Sequence, residues 1–321
     1  MTTVGSAFLS TENPVCPAGL LMAAQALKCP KVAVAGAGAA LPMEAAQQAC
    51  AAGVMTPILV GATQDIHTQA TRINWDLTGI QIMDAKDEAS AAQAAVKLCA
   101  DGQADVLMKG QVHTDAFLRA VLARDGGLRT DRRLMHFSYI SPPKGGDALL
   151  LSDVAVNVAP DVNLRRDMTR TAVNLLHILG NPTPKIAFLS ATESVNPSVP
   201  SSGEAHALAT WASANIDNAE FSGPLALDLV LSAQAVQNKG LSGDPVAGRA
   251  DAIIVPDIVV GNAIFKSLVY LAGGCAAGIV LGAKVPLLLT SRADPAEARL
   301  ASVALAAIVA ARKKPGAGMK T

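Results

Sequence analysis

The strongest constraint on this chain is the alternation of short apolar runs with alanine-rich helical stretches through its first third. Residues 31–35 read as a strand, 42–53 as a helix and 56–60 as a second strand. A helix over 88–100 then leads to a strand at 105–108 and a helix over 114–123, with Thr114 as its N-cap. Strands separated by helices cannot pair through tight turns, so the pattern predicts parallel strands joined by right-handed crossovers.

Composition supports this. Hydrophobic residues make up 51% of the 321 residues while aromatics make up only 3%, which suits small helices packed on a buried parallel sheet. The 26 basic and 26 acidic residues cancel, so nothing resembles the electrostatic footprint of a nucleic-acid binder. The longest apolar stretch, 273–290, contains Lys284 and Pro286 and reads as helix end, strand, turn and strand rather than a membrane span. The N-terminus carries Glu12 and Pro14 and lacks the order of a signal peptide, so a soluble cytoplasmic protein is expected. Five scattered cysteines, none in a C-x-x-C arrangement, argue against disulfides or a zinc site, and no metal is expected. Cys50, Cys99 and Cys275 are expected to be buried.

Farther along, 149–158 reads as a pair of strand pieces and 163–179 as a helix capped by Asn163 and stopped by Gly180. A strand at 185–189 precedes a Ser/Thr/Pro loop (190–203) and a helix over 204–214; 237–248, rich in glycine, reads as a mobile segment. Three further apolar segments, 225–231, 252–255 and 285–289, each run into small or charged residues. The carboxyl ends of buried strands are where α/β proteins place ligands, so those residues are site candidates. The chain ends with an apolar helix over 295–311 and a basic tail. The PPKGG turn at 142–146 is the natural domain linker.

Several motifs carry chemistry. GAGAAL (36–41) lacks the third glycine of a dinucleotide fingerprint and no acid follows the second strand, so it reads as a turn into a helix. Lys109-Gly110 follows a strand, with His113 and Arg119 on or near the next helix, a suitable anion cradle. Arg129, Arg132 and Arg133 form either a phosphate grip or a solvated basic turn. Ser190 and Thr192 open a hydroxyl-rich loop suited to presenting donors to phosphate. Asp228 interrupts an apolar stretch and must be paired, exposed or functional. Asp257 and Asn262 follow a strand, Asn262 being either an N-cap or a site residue. Ser291-Arg292 places a hydroxyl beside a guanidinium fork, which suits an anionic or carbonyl ligand.

GPLALD (223–228), PDIVVGN (256–262), TSRAD (290–294), VLMKGQVHTDAFLRAVL (106–122), LRTDRRLMHF (128–137) and LSATESVNPSVPSS (189–202) together resemble the phosphate acyltransferases, acetyl and butyryl branches alike. The resemblance implies two parallel-sheet α/β domains around a cleft, similar to isocitrate and isopropylmalate dehydrogenases, with domain I at 1–145 plus 289–321 and domain II at 146–288. It implies a homodimer with no bound cofactor, and acyl-CoA, coenzyme A and inorganic phosphate as substrates. Arg292 would hold phosphate and Ser291 would bond the carbonyl or thiol sulfur. Lys109, His113, Arg119, Ser190, Thr192, Asp228 and Asn262 would serve the phosphate or coenzyme A. The acetyl branch has a basic aspartate several residues after its Ser-Arg pair; here that place falls at about Ala298, so Asp294, Glu297 and Asp257 all stand as candidates. Two other classes fit less well: a non-catalytic coenzyme A-binding relative and a dehydrogenase on the same architecture.

Overall fold

The computed structural model describes residues 6–289 and 294–312. The chain forms two compact units, one built from Pro14–Leu134 with the chain from Ala277 onward, the other from Met135–Ala276 with the segment before Pro14.

The first unit begins with helix α1 (Ala18–Gln25) and then alternates: β1 (Lys31–Ala35), α2 (Ala40–Ala51), β2 (Thr56–Gly61), α3 (Thr63–Arg72), β3 (Gln81–Asp84), α4 (Glu88–Ala100), β4 (Val106–Lys109) and α5 (Thr114–Leu122). Its strands stand in the order β3-β2-β1-β4, all parallel, as the alternation requires. Val32 to Ala35 and Val106 to Met108 are buried, since a sheet covered by helices on both faces needs continuous apolar strands. Helix α4 starts where Asp87 accepts the Ser90 amide and Ser90 returns its hydroxyl to the Asp87 amide, a reciprocal cap. The expected cap of α5 is corrected: His113 takes that place without a side-chain bond, and Thr114 is already helical.

The second unit runs β5 (Met135–Ser141), β6 (Leu149–Ser152), α6 (Val162–Ile178), β7 (Lys185–Leu189), α7 (Pro200–Asn215), β8 (Glu220–Leu225), α8 (Leu227–Leu231), α9 (Ala233–Asn238), β9 (Ala252–Ile254) and α10 (Ile258–Lys266), which continues as a π-helical turn at Ser267–Leu271. Its order is β5-β6-β9-β7-β8, parallel except for β5 against β6. The PPKGG turn therefore closes a hairpin, with Gly145 and Gly146 in the left-handed region that the reversal needs.

Several element readings change here. Only 149–152 of the expected strand pair is a strand. Asp161 rather than Asn163 caps α6, accepting the Leu164 amide at 2.8 Å. Helix α7 begins at Pro200, whose fixed φ suits a first turn, not at residue 204. The apolar run 225–231 is a strand end followed by a helical turn. The glycine-rich stretch 237–248 is tied down by Asp244, which accepts the amides of Val246 and Ala247 at 2.8 Å and meets the Ser222 hydroxyl at 2.5 Å.

The chain then passes through β10 (Cys275–Leu281) and β11 (Leu287–Leu288) into α11 (Ala296–Arg312). Strand β11 lies parallel to β4 and antiparallel to β10. Helix α11 buries nearly its whole middle, Ala301 through Val309. Cys99 and Cys275 are buried as expected, while Cys50 is half-buried. Burial pushes the Cys99 thiol up to about 12, with the Asp105 charge adding to it, so this sulfur is no nucleophile at neutral pH. Among the described residues no helix is long and apolar enough to cross a membrane.

Candidate active site

In the unit containing β4, the site candidates gather where β1 and β4 end. The two loops touch through their glycines: Gly110 and Gln111 donate to the carbonyls of Ala35 and Gly36, both at 2.8 Å. A Cβ on Gly110 would stand 2.5 Å from the Gly36 oxygen, and Gly36 has φ +76°, so both positions need glycine. GAGAAL thus serves as a packing turn, in line with the missing dinucleotide signature.

That packing shapes a pocket lined by Lys109, Gly110, His113, Glu88 and Arg299, with Leu41 and Pro42 as an apolar wall. Lys109 Nζ donates to Val112 O at 3.1 Å and Gly110 O at 3.4 Å, which keeps its ammonium at the loop. Glu88 Oε2 accepts both the His113 amide (2.9 Å) and its Nδ1 (2.7 Å). The backbone bond from His113 first, and its ring second, hold the Glu88 carboxyl below the usual glutamate range.

A folded-state pKa below the unfolded value means this tie contributes fully above the ordinary value of about 4.3 and is lost as pH falls through the folded value. Glu88→Gln should therefore be less stable than the parent at neutral pH. The gap should close in acid, as read by urea unfolding across pH 3–7 (roughly the glutamate range). A gap independent of pH would exclude the charged tie.

Arg299 was not singled out by its sequence context, although a lone cation on the buried stripe of an alanine-rich helix is a signal. Neighbours Ala298 and Ser302 are buried, and so is Arg299 itself. Its Nη1 donates to the Asp294 carbonyl. Arg119 stands exposed on the last turn of α5. Arg129 and Arg133 are exposed and Arg132 half-buried. Asp294 is half-buried just ahead of α11, and Glu297 lies in that helix's first turn. Ser291 and Arg292 lie outside the described residues.

The other unit holds the remaining candidates in two groups. After β7, Ser190 is buried and shares a 2.9 Å hydroxyl bond with Ser201, while Thr192 is half-buried and 3.4 Å from the Ser194 hydroxyl. Ser202 holds this loop by accepting the Asn196 amide and donating to Val199 O. Lys239 bridges Glu193 (3.5 Å) and Asp228 (3.3 Å), so Asp228 is both exposed and paired.

The second group surrounds α10. Asp257 is its N-cap, accepting the amides of Val259 (2.9 Å) and Val260 (3.0 Å). Asn262 lies inside the helix and donates to Val154 O at 3.2 Å, which corrects the cap reading. A Cβ at Gly261 would run into the Asp153 carbonyl, so the Gly-Asn pair packs the helix onto the 153–157 loop. Sequence reasoning missed Asp153. It is buried and accepts from His136 N (3.0 Å), Ala155 N (2.9 Å), Val156 N (2.9 Å) and Asn157 Nδ2 (2.7 Å).

Comparison with known proteins agrees with the motifs. The family model described as "Phosphate acetyl/butaryl transferase" matches residues 88–307. The phosphate acetyltransferase of Rhizobium meliloti is 41% identical, over 83% of this chain and 84% of its own length. The phosphate butyryltransferase of Clostridium acetobutylicum is 37% identical over 92% of this chain and 98% of its own. Among solved structures, a branched-chain phosphotransacylase from Enterococcus faecalis V583 superposes with a TM-score of 0.76 at 33% identity, covering 87% of this chain and 99% of that one. The matched span takes in Glu88, Lys109, His113, Asp257 and Arg299 alike, and the chain is a transferase belonging to the phosphate acetyl/butyryl transferase family.

Proposed function

We propose that this chain transfers a short acyl group, acetyl or butyryl, reversibly between coenzyme A and inorganic phosphate in the cytoplasm, with coenzyme A as substrate rather than resident cofactor. The observation carrying this reading is family membership across a span that contains a pocket lined by two cations, Lys109 and Arg299. A phosphate oxygen forms the new bond to the thioester carbonyl carbon, and the C–S bond breaks as the tetrahedral intermediate collapses. The proton given up by the attacking hydrogenphosphate passes to the departing thiolate, leaving acyl phosphate and coenzyme A as the free thiol. Direct attack in a ternary complex needs no covalent nucleophile, so positioning and charge stabilisation supply the acceleration.

In this scheme Arg292 holds the phosphate and Ser291 donates to the carbonyl oxygen or the sulfur. Lys109, His113 and Arg119 serve the anionic substrates, and Ser190, Thr192, Asp228 and Asn262 contact coenzyme A. Of the acids, Asp294 stands two residues beyond Arg292 and is assigned the proton, with Glu297 and Asp257 as the alternatives. We extend the proposal to a homodimer with the isocitrate/isopropylmalate dehydrogenase-like architecture. Isotope exchange separates the mechanisms: direct attack predicts no exchange of labelled coenzyme A into acyl-CoA without phosphate. Rapid exchange under those conditions would require an acyl-enzyme.

A further inference from the structure

An arginine withdrawn from water requires acceptors for its N–H groups, because a buried, uncompensated charge is costly. Arg299 is only 8% exposed, yet it enters none of the ion pairs formed among the described residues. Nη1 is taken up by the Asp294 carbonyl, and Nε has no hydrogen-bond partner. Nε and Nη2 share one edge of the guanidinium, the edge that meets a carboxylate or phosphate through two parallel bonds. Arg299 lines the same pocket as Lys109, whose ammonium is fixed by two loop carbonyls. Glu88, the carboxylate lining that pocket, is occupied by His113.

We propose that Lys109 and Arg299 together hold a phosphate-type dianion in this pocket, the oxyanion completing the hydrogen bonding of Arg299. The proposal rests on the acyl-transfer reading and adds Arg299 to it. Two sources offer the same chemistry: inorganic phosphate as acyl acceptor, or a phosphate group of coenzyme A. Leu41 and Pro42 give the pocket one apolar wall, which lowers the local dielectric on that side of the two cations.

The test compares the parent protein with Arg299→Gln and Lys109→Gln. It reads KM for phosphate, KM for acyl-CoA with and without its 3′-phosphate, and the rise in Tm produced by inorganic phosphate or coenzyme A alone. Loss of a charged hydrogen-bond donor should weaken the bound dianion about tenfold or more. A rise in KM for phosphate, with a lost phosphate-induced Tm shift, assigns inorganic phosphate. A rise in KM for acyl-CoA that disappears with the 3′-dephosphorylated substrate assigns the coenzyme. Both constants and both Tm shifts within about twofold of the parent, in variants shown to be folded, would overturn the subsite. If Arg299→Gln does not fold, Lys109→Gln at the half-exposed position decides alone. The Tm shift needs no turnover, so absent thiol release in the parent would count against the acyl-transfer reading while leaving the subsite to be judged separately.

Discussion

Arg292→Ala is expected to cut phosphate-dependent turnover about 10²- to 10³-fold, the usual cost of removing a donor aimed at charge that develops in the transition state. Phosphate arrives as a dianion and an oxyanion forms at the thioester carbon. A guanidinium presents a planar pair of donors to either, which lysine cannot reproduce. The loss should appear in kcat as well as in KM for phosphate, because a group that bound ground state and transition state equally would move KM alone. Circular dichroism of the variant should match the parent. A folded Arg292→Ala protein with parental turnover would remove Arg292 from the mechanism.

The largest stability effect is expected at Asp153. Its buried carboxylate gathers three backbone amides and the Asn157 side chain at 2.7–3.0 Å, one amide from strand β5 and the rest from the turn that follows residue 153. Alanine there strands four donors, each costing about 1–3 kcal/mol when left unsatisfied, although such costs do not simply add. A loss of about 3–5 kcal/mol is the result to look for in urea unfolding, with Asp153→Asn losing less because it keeps one acceptor oxygen. His136 belongs to the same cluster. Burial pushes its imidazole pKa down and the Asp153 charge partly opposes that, so the ring is neutral in the fold. A His pKa depressed on folding contributes stability above the ordinary value near 6.5 and loses it as pH drops through that value. A loss below about 1 kcal/mol for Asp153→Ala would mean that water or a rearranged loop satisfies these donors.

The strands at 31–35 and 185–189 and the helix at 88–100 were legible in the sequence, because each is an uninterrupted apolar or alanine-rich run bounded by turn residues or caps. Helix starts were less so. Thr114 and Asn163 have the right chemistry for caps, but the backbone enters each helix one or two residues earlier, at His113 and Asp161. The PPKGG turn looked like a linker because turn chemistry is the same in linkers and hairpins; only the pairing of β5 with β6 separates them.

For the site, Lys109 and His113 were readable from their place at the end of a strand and in the loop after it. Glu88 was not, since its tie to His113 spans 25 positions and depends on how α4 packs beside α5. Arg299 was hidden by its setting, where a charge within an apolar helix is easily taken for an exposed face. Asp153 was obscured by LLLSDVAVNV, whose alternation suggests strand although the carboxylate folds the chain over at residue 153. Glu88 was missed because its partner is distant in the chain, and Asp153 and Arg299 because their side-chain bonds to nearby backbone leave no trace in hydrophobic periodicity.

Acyl transfer from a coenzyme A thioester to phosphate liberates a free thiol, which can be followed without a coupled step. Acetyl-, propionyl- and butyryl-CoA would each be incubated with the purified protein, with and without inorganic phosphate. Thiol release that depends on phosphate is expected, with the fastest substrate fixing the acyl length. No release from any of the three, by protein shown to be folded, would contradict acyl transfer and point to a relative that binds coenzyme A without turning it over.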